Sequence, residues 1–468
     1  MPPPVALLLC LCLIAWLFWR YPERKAGVSC ALWIPLVWLF IVSSRAISIW
    51  LGMGGAFSEA SSTIGGGGDS AEGSPLDSLV FLALIIAGAM VLSRRRLDWA
   101  TLFRQNQWLL IFFIYLGLST LWSDYAFVAF KRWIKDVGNV IMVLVVVTDQ
   151  NPIQAVRFLL ARCCYLLLPL NVVFCKYFGD LARSYDPFSG VAFYTGLTTN
   201  KNVLGMSLFA CSLALIWMFL QPDRNRTGIK ARLDRGVLLL MGGMAFWLLQ
   251  QAHSSTALSC SLLGAVIILA SRFATIRKKL GMYGAGMGIL LAVLQLAFNL
   301  PEFLAQLVGR DPTFSGRTDI WSAVLREGND HPLFGVGYYS FWLQAERVAR
   351  VSAKFFYQLN QAHDTYLETY LNNGLIGVAL LFAVIVSSAI WTKNQAMKSE
   401  SFGAFRLACF LAMLVYGITE VFMNRLGFLW FLFLLVIIRY PKKVPGQTAQ
   451  RGVAASKRSV PYQVARTS

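Results

Sequence analysis

Three short stretches of this 468-residue chain carry residue types from which transfer chemistry can be built. GRDPTFSGRTDIW, residues 309–321, supplies Arg310 and Arg317 and closes on Trp321. NQAHDTYLETYLNNGLIG, residues 360–377, supplies His363, and GDLARSYDPFSGVAFYTGLTTNKNVLG, residues 179–205, supplies Arg183, Lys201 and Asn202. A neutral histidine can take a proton from an attacking hydroxyl. Guanidinium groups and an ammonium can hold an oxyanion, and the arginine fork matches phosphate oxygens two at a time. Four cations brought to one histidine would form an anion pocket, and the anion natural to a membrane surface is a lipid-linked phosphate or pyrophosphate.

Each residue also has a plainer reading. Arg317 can pair with Asp319 or snorkel to headgroups, Lys201 can be an interfacial anchor, and Asp186 and Asp311 are ready partners for Arg183 and Arg310. His253, in QQAHSSTALS, is either an interfacial histidine or part of a pocket wall. Glu420 is either a site residue or half of a structural ion pair with nearby Arg425. Other chemistries find no support. The three histidines are widely spaced without neighbouring ligands, so no metal is expected. There is no paired-carboxylate or Ser-His-Asp arrangement. The nine cysteines lie mostly in apolar runs without metal spacing and read as small buried hydrophobes.

The elements that must position these residues are membrane helices. Hydrophobic residues make up 57% of the chain and charged residues 14%, more apolar surface than a soluble chain of this length can hide. The apolar runs are continuous and of spanning length, which selects helices over a β-barrel. Thirteen candidate spans fall near 4–19, 28–44, 76–93, 108–122, 134–148, 157–178, 203–220, 236–252, 255–271, 281–300, 365–390, 404–420 and 427–439. The expected fold is an all-α polytopic membrane protein of about 12–13 transmembrane helices. The first run, Val5–Trp19, has no basic n-region and reads as a retained span.

Charge sets the orientation. The basic clusters after spans one, three, seven, nine and thirteen all fall on one side under strict alternation, the cytoplasmic side. This explains the net charge of +19 without nucleic acid. Residues 1–439 form one transmembrane domain, and 440–468 are a basic, disordered cytoplasmic tail. The opposite face carries a low-complexity loop around Gly65–Gly68, the 179–202 loop and a large loop at 301–364. Within the large loop, Ile320, Trp321, Val324 and Leu325 share one face of a short interfacial helix with Trp321 at headgroup depth. Asp364 is an N-cap, and Thr365-Tyr366-Leu367-Glu368 matches the capping-box spacing, so a helix starts at about Thr365 with His363 at its mouth. Asn372-Asn373-Gly374 interrupts that helix, and irregular backbone at this depth must meet protein or water, so His363 is expected to border a wet cavity.

GRDPTFSGRTDIW, followed by HPLFGVGYYSF and QAHDTYLETYLNNGLIG, resembles the signature region of the O-antigen ligase and O-antigen polymerase family. GLTTNKNVLG resembles its upstream signature, especially in the exopolysaccharide-polymerising branch. The resemblance is close over about residues 180–390. It implies a lipid-dependent glycosyltransferase-like fold in the bacterial inner membrane, with short interfacial helices in the periplasmic loop. It implies transfer of a glycan from a polyprenyl-pyrophosphate carrier to an acceptor hydroxyl, on another glycan or a lipid A core, on the periplasmic face. No metal, nucleotide sugar or other cofactor is implied; membrane lipids and other polysaccharide-assembly proteins are the expected company. Carried over residue by residue, the family's loop arginine matches Arg317, its histidine matches His363, and its Lys-Asn pair matches Lys201 and Asn202. Many relatives carry a basic residue in the turn that is His253-Ser254-Ser255-Thr256 here, which makes His253 the candidate replacement. The residue reading then assigns His363 as base, Arg317 and Lys201 as pyrophosphate binders, and the Trp321 helix as the lipid-holding surface. Asn202, Arg183, Arg310, His253 and Glu420 join as substrate-binding candidates. The rival is a transporter or flippase of lipid-linked glycans, which predicts cations deep in several spans and repeated halves, whereas the cations here are expected in loops on one face.

Overall fold

The computed structural model describes residues 1–21, 27–52, 74–185, 190, 192–221, 228–279, 317–355, 357–398 and 401–440. Arg310, the Gly65–Gly68 stretch, the span expected at 281–300 and the tail from 441 onward lie outside the described residues. Helices of eight residues or more are numbered in chain order: α1 Pro3–Arg20, α2 Trp33–Val42, α3 Pro75–Arg94, α4 Gln107–Leu118, α5 Ala126–Val147, α6 Pro152–Tyr177, α7 Lys201–Leu220, α8 Gly228–Gln251, α9 Ser255–Ala270, α10 Arg317–Gly328, α11 Ala345–Ser352, α12 Thr365–Met397, α13 Ser401–Tyr416 and α14 Phe428–Ile437. Six of these carry stretches long and apolar enough to cross a membrane, and shorter apolar helices accompany them. The protein is thus an all-α polytopic membrane protein, with one small addition: β1 Arg183–Tyr185 and β2 Ala192–Tyr194 pair antiparallel, with Arg183 opposite Tyr194.

The helices assemble because their apolar faces match. α6, α7 and α13 are largely enclosed, with Phe158, Phe209, Phe405 and Phe410 in the shared core. α9 packs on α13, α12 packs on α4 and α13, and α3 packs on α5. Gly138 of α5 admits Trp38 and Ile85 side chains where a methyl group would collide at 2.6 and 2.8 Å. The Trp38 indole then donates to the Asn139 side-chain oxygen at 2.7 Å, which satisfies the indole N–H and the amide oxygen inside the core.

Cross-links at one end of the bundle match the alternation read from charge. Arg20, at the end of α1, pairs with Asp234 near the start of α8, and Arg95, just after α3, pairs with Asp149, just after α5. Asn106, just before α4, meets the backbone of Arg439, just after α14.

Three expectations need correction. The last two spans stop short: α13 ends at Tyr416 and α14 begins at Phe428, so residues 417–427 are non-helical. α14 has ten residues, about 15 Å at the helical rise, and is buried throughout, so it is a core half-helix. Second, the cations are not confined to loops. Lys135, Arg162 and Arg406 sit buried inside helices, the two arginines stacked among aromatic rings at 4.2–5.3 Å. Third, the break in α12 meets protein. Gly374 takes a left-handed φ of 63°, and the carbonyls of Leu371 and Asn372 accept from the amides of Val336 and Gly337 at 3.2 and 2.9 Å. The amides of Leu375 and Ile376 in turn donate to Pro332 and Leu333. A Cβ on Gly374 would stand 2.2 Å from the Leu333 carbonyl oxygen, and one on Gly335 would stand 2.4 Å from the Asn372 carbonyl carbon, so this docking requires both glycines.

Candidate active site

The start of α12 positions His363. The Asp364 carboxylate accepts from the Leu367 amide at 2.6 Å, the expected N-cap. Glu368 closes the turn from inside: one oxygen accepts from the Ala362 amide at 3.0 Å, and the other accepts from the Trp342 indole at 2.8 Å. Trp321 of α10 donates to the Ala362 carbonyl at 3.0 Å. Both polar groups of the residue before the histidine are therefore held, and His363 itself is forced to a φ of 52°.

Trp321 is half-buried against this turn, so its placement is explained by protein contact. The stripe expected around it divides: Ile320 and Val324 are buried against the α12 side of the loop cluster, while Leu325 is exposed.

A second clamp brings Glu420 to the same place. Thr365 donates its amide to the Gly417 carbonyl at 2.7 Å and its hydroxyl to the Glu420 carbonyl at 2.8 Å, and that hydroxyl accepts from the Phe422 amide at 3.2 Å. The irregular 417–427 segment is thereby pinned to the first residue of α12. Three side chains from three elements then converge on the buried Glu420 carboxylate. Arg317 donates through Nη2 at 2.8 Å, Asn202 donates through Nδ2 at 3.3 Å, and His363 Nδ1 lies 3.5 Å from Oε2. The histidine contact has ion-pair distance without hydrogen-bond geometry, and Nδ1 is otherwise buried without a partner. Arg317 retains donors beyond the one recorded on Glu420. Its partner is Glu420 rather than Asp319, the plainer alternative. Arg425, expected beside Glu420, instead donates to the Gln361 side chain at 3.1 Å and lies 3.9 Å from Glu368.

The remaining candidates sit around this cluster. Lys201 opens α7, whose N-cap is Asn200, and carries its ammonium 4.6 Å over the Phe193 ring. His253 occupies an exposed turn with φ 48°, and two residues on from it Ser255 begins α9, whose Thr256 hydroxyl meets that of Thr419 at 3.4 Å. Arg183 does not join: β1 carries it to an exposed position, with its guanidinium 5.1 Å over the Tyr194 ring. The hairpin pairing fixes that direction, because Tyr194 is its cross-strand partner.

Beside the Glu420 cluster lies a cavity of about 210 Å³; a wet cavity was expected at His363, but not the cationic lining found here. Asn202 and Gln361 connect the two, and Arg45, Arg132, Lys135 and Arg425 line the cavity walls. Arg45 reaches the carbonyl of Leu181 and stands 3.4 Å from that of Thr198. Arg132 donates to the Tyr339 carbonyl at 2.5 Å and stacks on its ring at 4.6 Å. One signal for this cavity was present in the sequence: Lys135 and Asp136 stand inside an apolar run, where an ionisable pair is costly and points to a site.

Among the described residues no group of three or more histidine, cysteine and carboxylate side chains is placed to hold a metal ion. Burial raises the Asp364 carboxyl from its ordinary 3.8 to about 6, opposed by the cap hydrogen bonds of Leu367 and Tyr366.

Comparisons with known proteins converge on one family. Residues 236–382 match the profile of the family described as O-Antigen ligase. Over 291 residues, 60% of this chain, the sequence is 26% identical to the exopolysaccharide production protein ExoQ of Rhizobium meliloti (strain 1021). That match covers 64% of the relative's length, short of two thirds. The chain is therefore similar to the O-antigen ligase and polymerase family that its motifs resemble, and the matched profile spans His253, Arg317 and His363.

Proposed function

We propose that the protein is a glycosyltransferase of the bacterial inner membrane. It moves a glycan from a polyprenyl-pyrophosphate carrier to an acceptor hydroxyl on the periplasmic face, in the polymerisation or ligation of an exopolysaccharide or O-antigen. The observation that carries this reading is the convergence of His363, Arg317 and Asn202 on one buried carboxylate, with part of the set inside the family-matched region.

The chemistry follows from the groups present. The acceptor hydroxyl attacks the anomeric carbon, the sugar–phosphate bond breaks, and the pyrophosphate departs with the electron pair. Glu420 on the Nδ1 side stabilises an imidazolium, so the hydroxyl proton passes to Nε2 of His363. Arg317, aimed by the same carboxylate, and Lys201 at the mouth of α7 stabilise the charge growing on the pyrophosphate. Holding base and cation on one carboxylate couples the proton transfer and the charge movement of the reaction in space. The residues supply this chemistry without a divalent ion.

The deciding experiment uses purified full-length protein and a defined carrier-linked oligosaccharide. Chain growth without added lipid A core identifies a polymerase, and transfer only when core is supplied identifies a ligase. Release of no carrier pyrophosphate in either reaction rejects the transfer reading.

A further inference from the structure

Lys135 stands nine residues into α5, about 14 Å from its start at the helical rise, and is only 7% exposed. An ammonium at that depth is expensive unless something neutralises it. Its recorded partner among the described residues is the ring of Phe81, 5.4 Å away, which is no counter-charge. The two carboxylates that share its cavity wall have no recorded contact with it; neutral donors hold them, and they offset only part of the charge of the four cations on the same walls, Arg45, Arg132, Lys135 and Arg425. Asp136 accepts from the Trp430 indole and, at 3.0 Å, from the Tyr338 hydroxyl. Asp77 accepts from the Ser48 amide at 3.1 Å and the Ser48 hydroxyl at 2.5 Å. Arg45, Arg132 and Arg425 add positive potential to the same walls, although each also makes contacts within the protein.

We propose that this cavity is a second anion subsite, in which Lys135 binds an oxyanion of the substrate that does not leave. Two sources share that chemistry: a phosphate of the acceptor's own carrier pyrophosphate, which stays attached through the transfer, or a carboxylate on the glycan itself. The subsite is separate in position from the Arg317–Glu420–His363 cluster, whose task is the departing charge, and Asn202 and Gln361 bridge the two. The subsite determines which substrate is accepted. Only the identity of the bearer rests on the transferase reading, since the binding itself is independent of turnover.

The test measures binding to the full-length protein in nanodiscs of zwitterionic phosphatidylcholine. The two probes are farnesyl pyrophosphate, which is a short polyprenyl pyrophosphate, and a disaccharide containing glucuronate. Wild-type protein binds at least one of them. Lys135→Met weakens that probe by about tenfold or more, the scale of one lost charge-assisted hydrogen bond, and Lys135→Arg restores most of it. A loss confined to farnesyl pyrophosphate assigns the carrier, and a loss confined to the uronate sugar assigns the glycan. Unchanged affinity of Lys135→Met for both probes, or no binding of either by wild type, overturns the subsite. His363→Ala retains the binding, so a failed transfer assay and a failed subsite are told apart. If Lys135→Met does not elute as a folded species, Lys135→Gln and Arg132→Gln are read by the same measurement.

Discussion

The two ends of the helix bundle hold their charges in different ways. At one end two arginines are each matched to one carboxylate. Arg20 meets Asp234 at 2.9 Å, and Arg95 meets Asp149 at 3.2 Å with the Thr148 hydroxyl at 2.7 Å. At the other end a single buried carboxylate, Glu420, faces an arginine, an asparagine and a histidine, and Lys135 nearby has no recorded counter-charge among the described residues. Backbone strain divides the same way. The described non-glycine residues with positive φ are His253, Tyr339, His363 and Asn424, all at the Glu420 end. Matched pairs fasten helices together. Shared charges and strained backbone cost stability, and they persist where geometry serves a reaction.

The strongest way to break that contrast is His363→Ala. As general base it should contribute about 10²–10⁴-fold to the transfer rate. Steady-state transfer with a defined lipid-linked donor should fall by that factor while donor affinity stays close to wild type. A fall of less than tenfold would make His363 a structural turn residue like the groups at the opposite end.

Next in size is the coupling across Glu420. Arg317→Gln and Glu420→Gln should each lower transfer by about 10²-fold, the scale of removing one preorganised electrostatic group. Because they share one contact while Glu420 also faces His363, the double variant should lose less than the product of the two single losses. Additive losses would show that the two residues work apart.

Much of this end was legible in the sequence, and the reason is local chemistry. The Asp364 cap and the Asn372-Asn373-Gly374 break follow from neighbours within a turn or two, and a recognisable motif singled out Arg317 and His363 as candidates. The Trp321 stripe was half right, because periodicity names a helix face but not whether lipid or protein covers it. Glu420 was visible as a candidate, yet its partner was misjudged, since Arg425 is five positions away and Arg317 is 103. The lining of the cavity was hidden for the same reason: Arg45, Lys135 and Asn202 come from three elements whose approach depends on tertiary packing. Arg183 erred in the other direction, because a short polar loop gave no warning of the hairpin that turns it to solvent.

The opposite end supplies the control. Arg95→Met leaves the Asp149 carboxylate buried with less compensation, which should cost roughly 3 kcal/mol of stability, the low end for breaking a buried pair. Arg20→Met removes a partly exposed pair and should cost about 1 kcal/mol or less. Detergent-unfolding midpoints should rank the two in that order, and transfer by the folded fraction should match wild type in both. A folded Arg95→Met protein with slow transfer would mean that this end also serves the reaction.

The smallest expected effect concerns Asp364, where the two roles meet. Its carboxyl lies next to His363 and caps α12, yet burial lifts its pKa from 3.8 to about 6. The folded protein therefore binds this proton more tightly than the unfolded chain. The associated stabilisation is fully present below pH 3.8 and is lost as pH rises through about 6. Asn is as good an N-cap as Asp and does not titrate, so Asp364→Asn should keep the helix start and remove this component of the pH slope. Unfolding midpoints measured from pH 4 to 8 should differ most between the two proteins above pH 6, where the wild-type carboxylate is charged and only partly solvated. Parallel curves for the two proteins would place the Asp364 carboxyl in water, and with it the turn that holds His363.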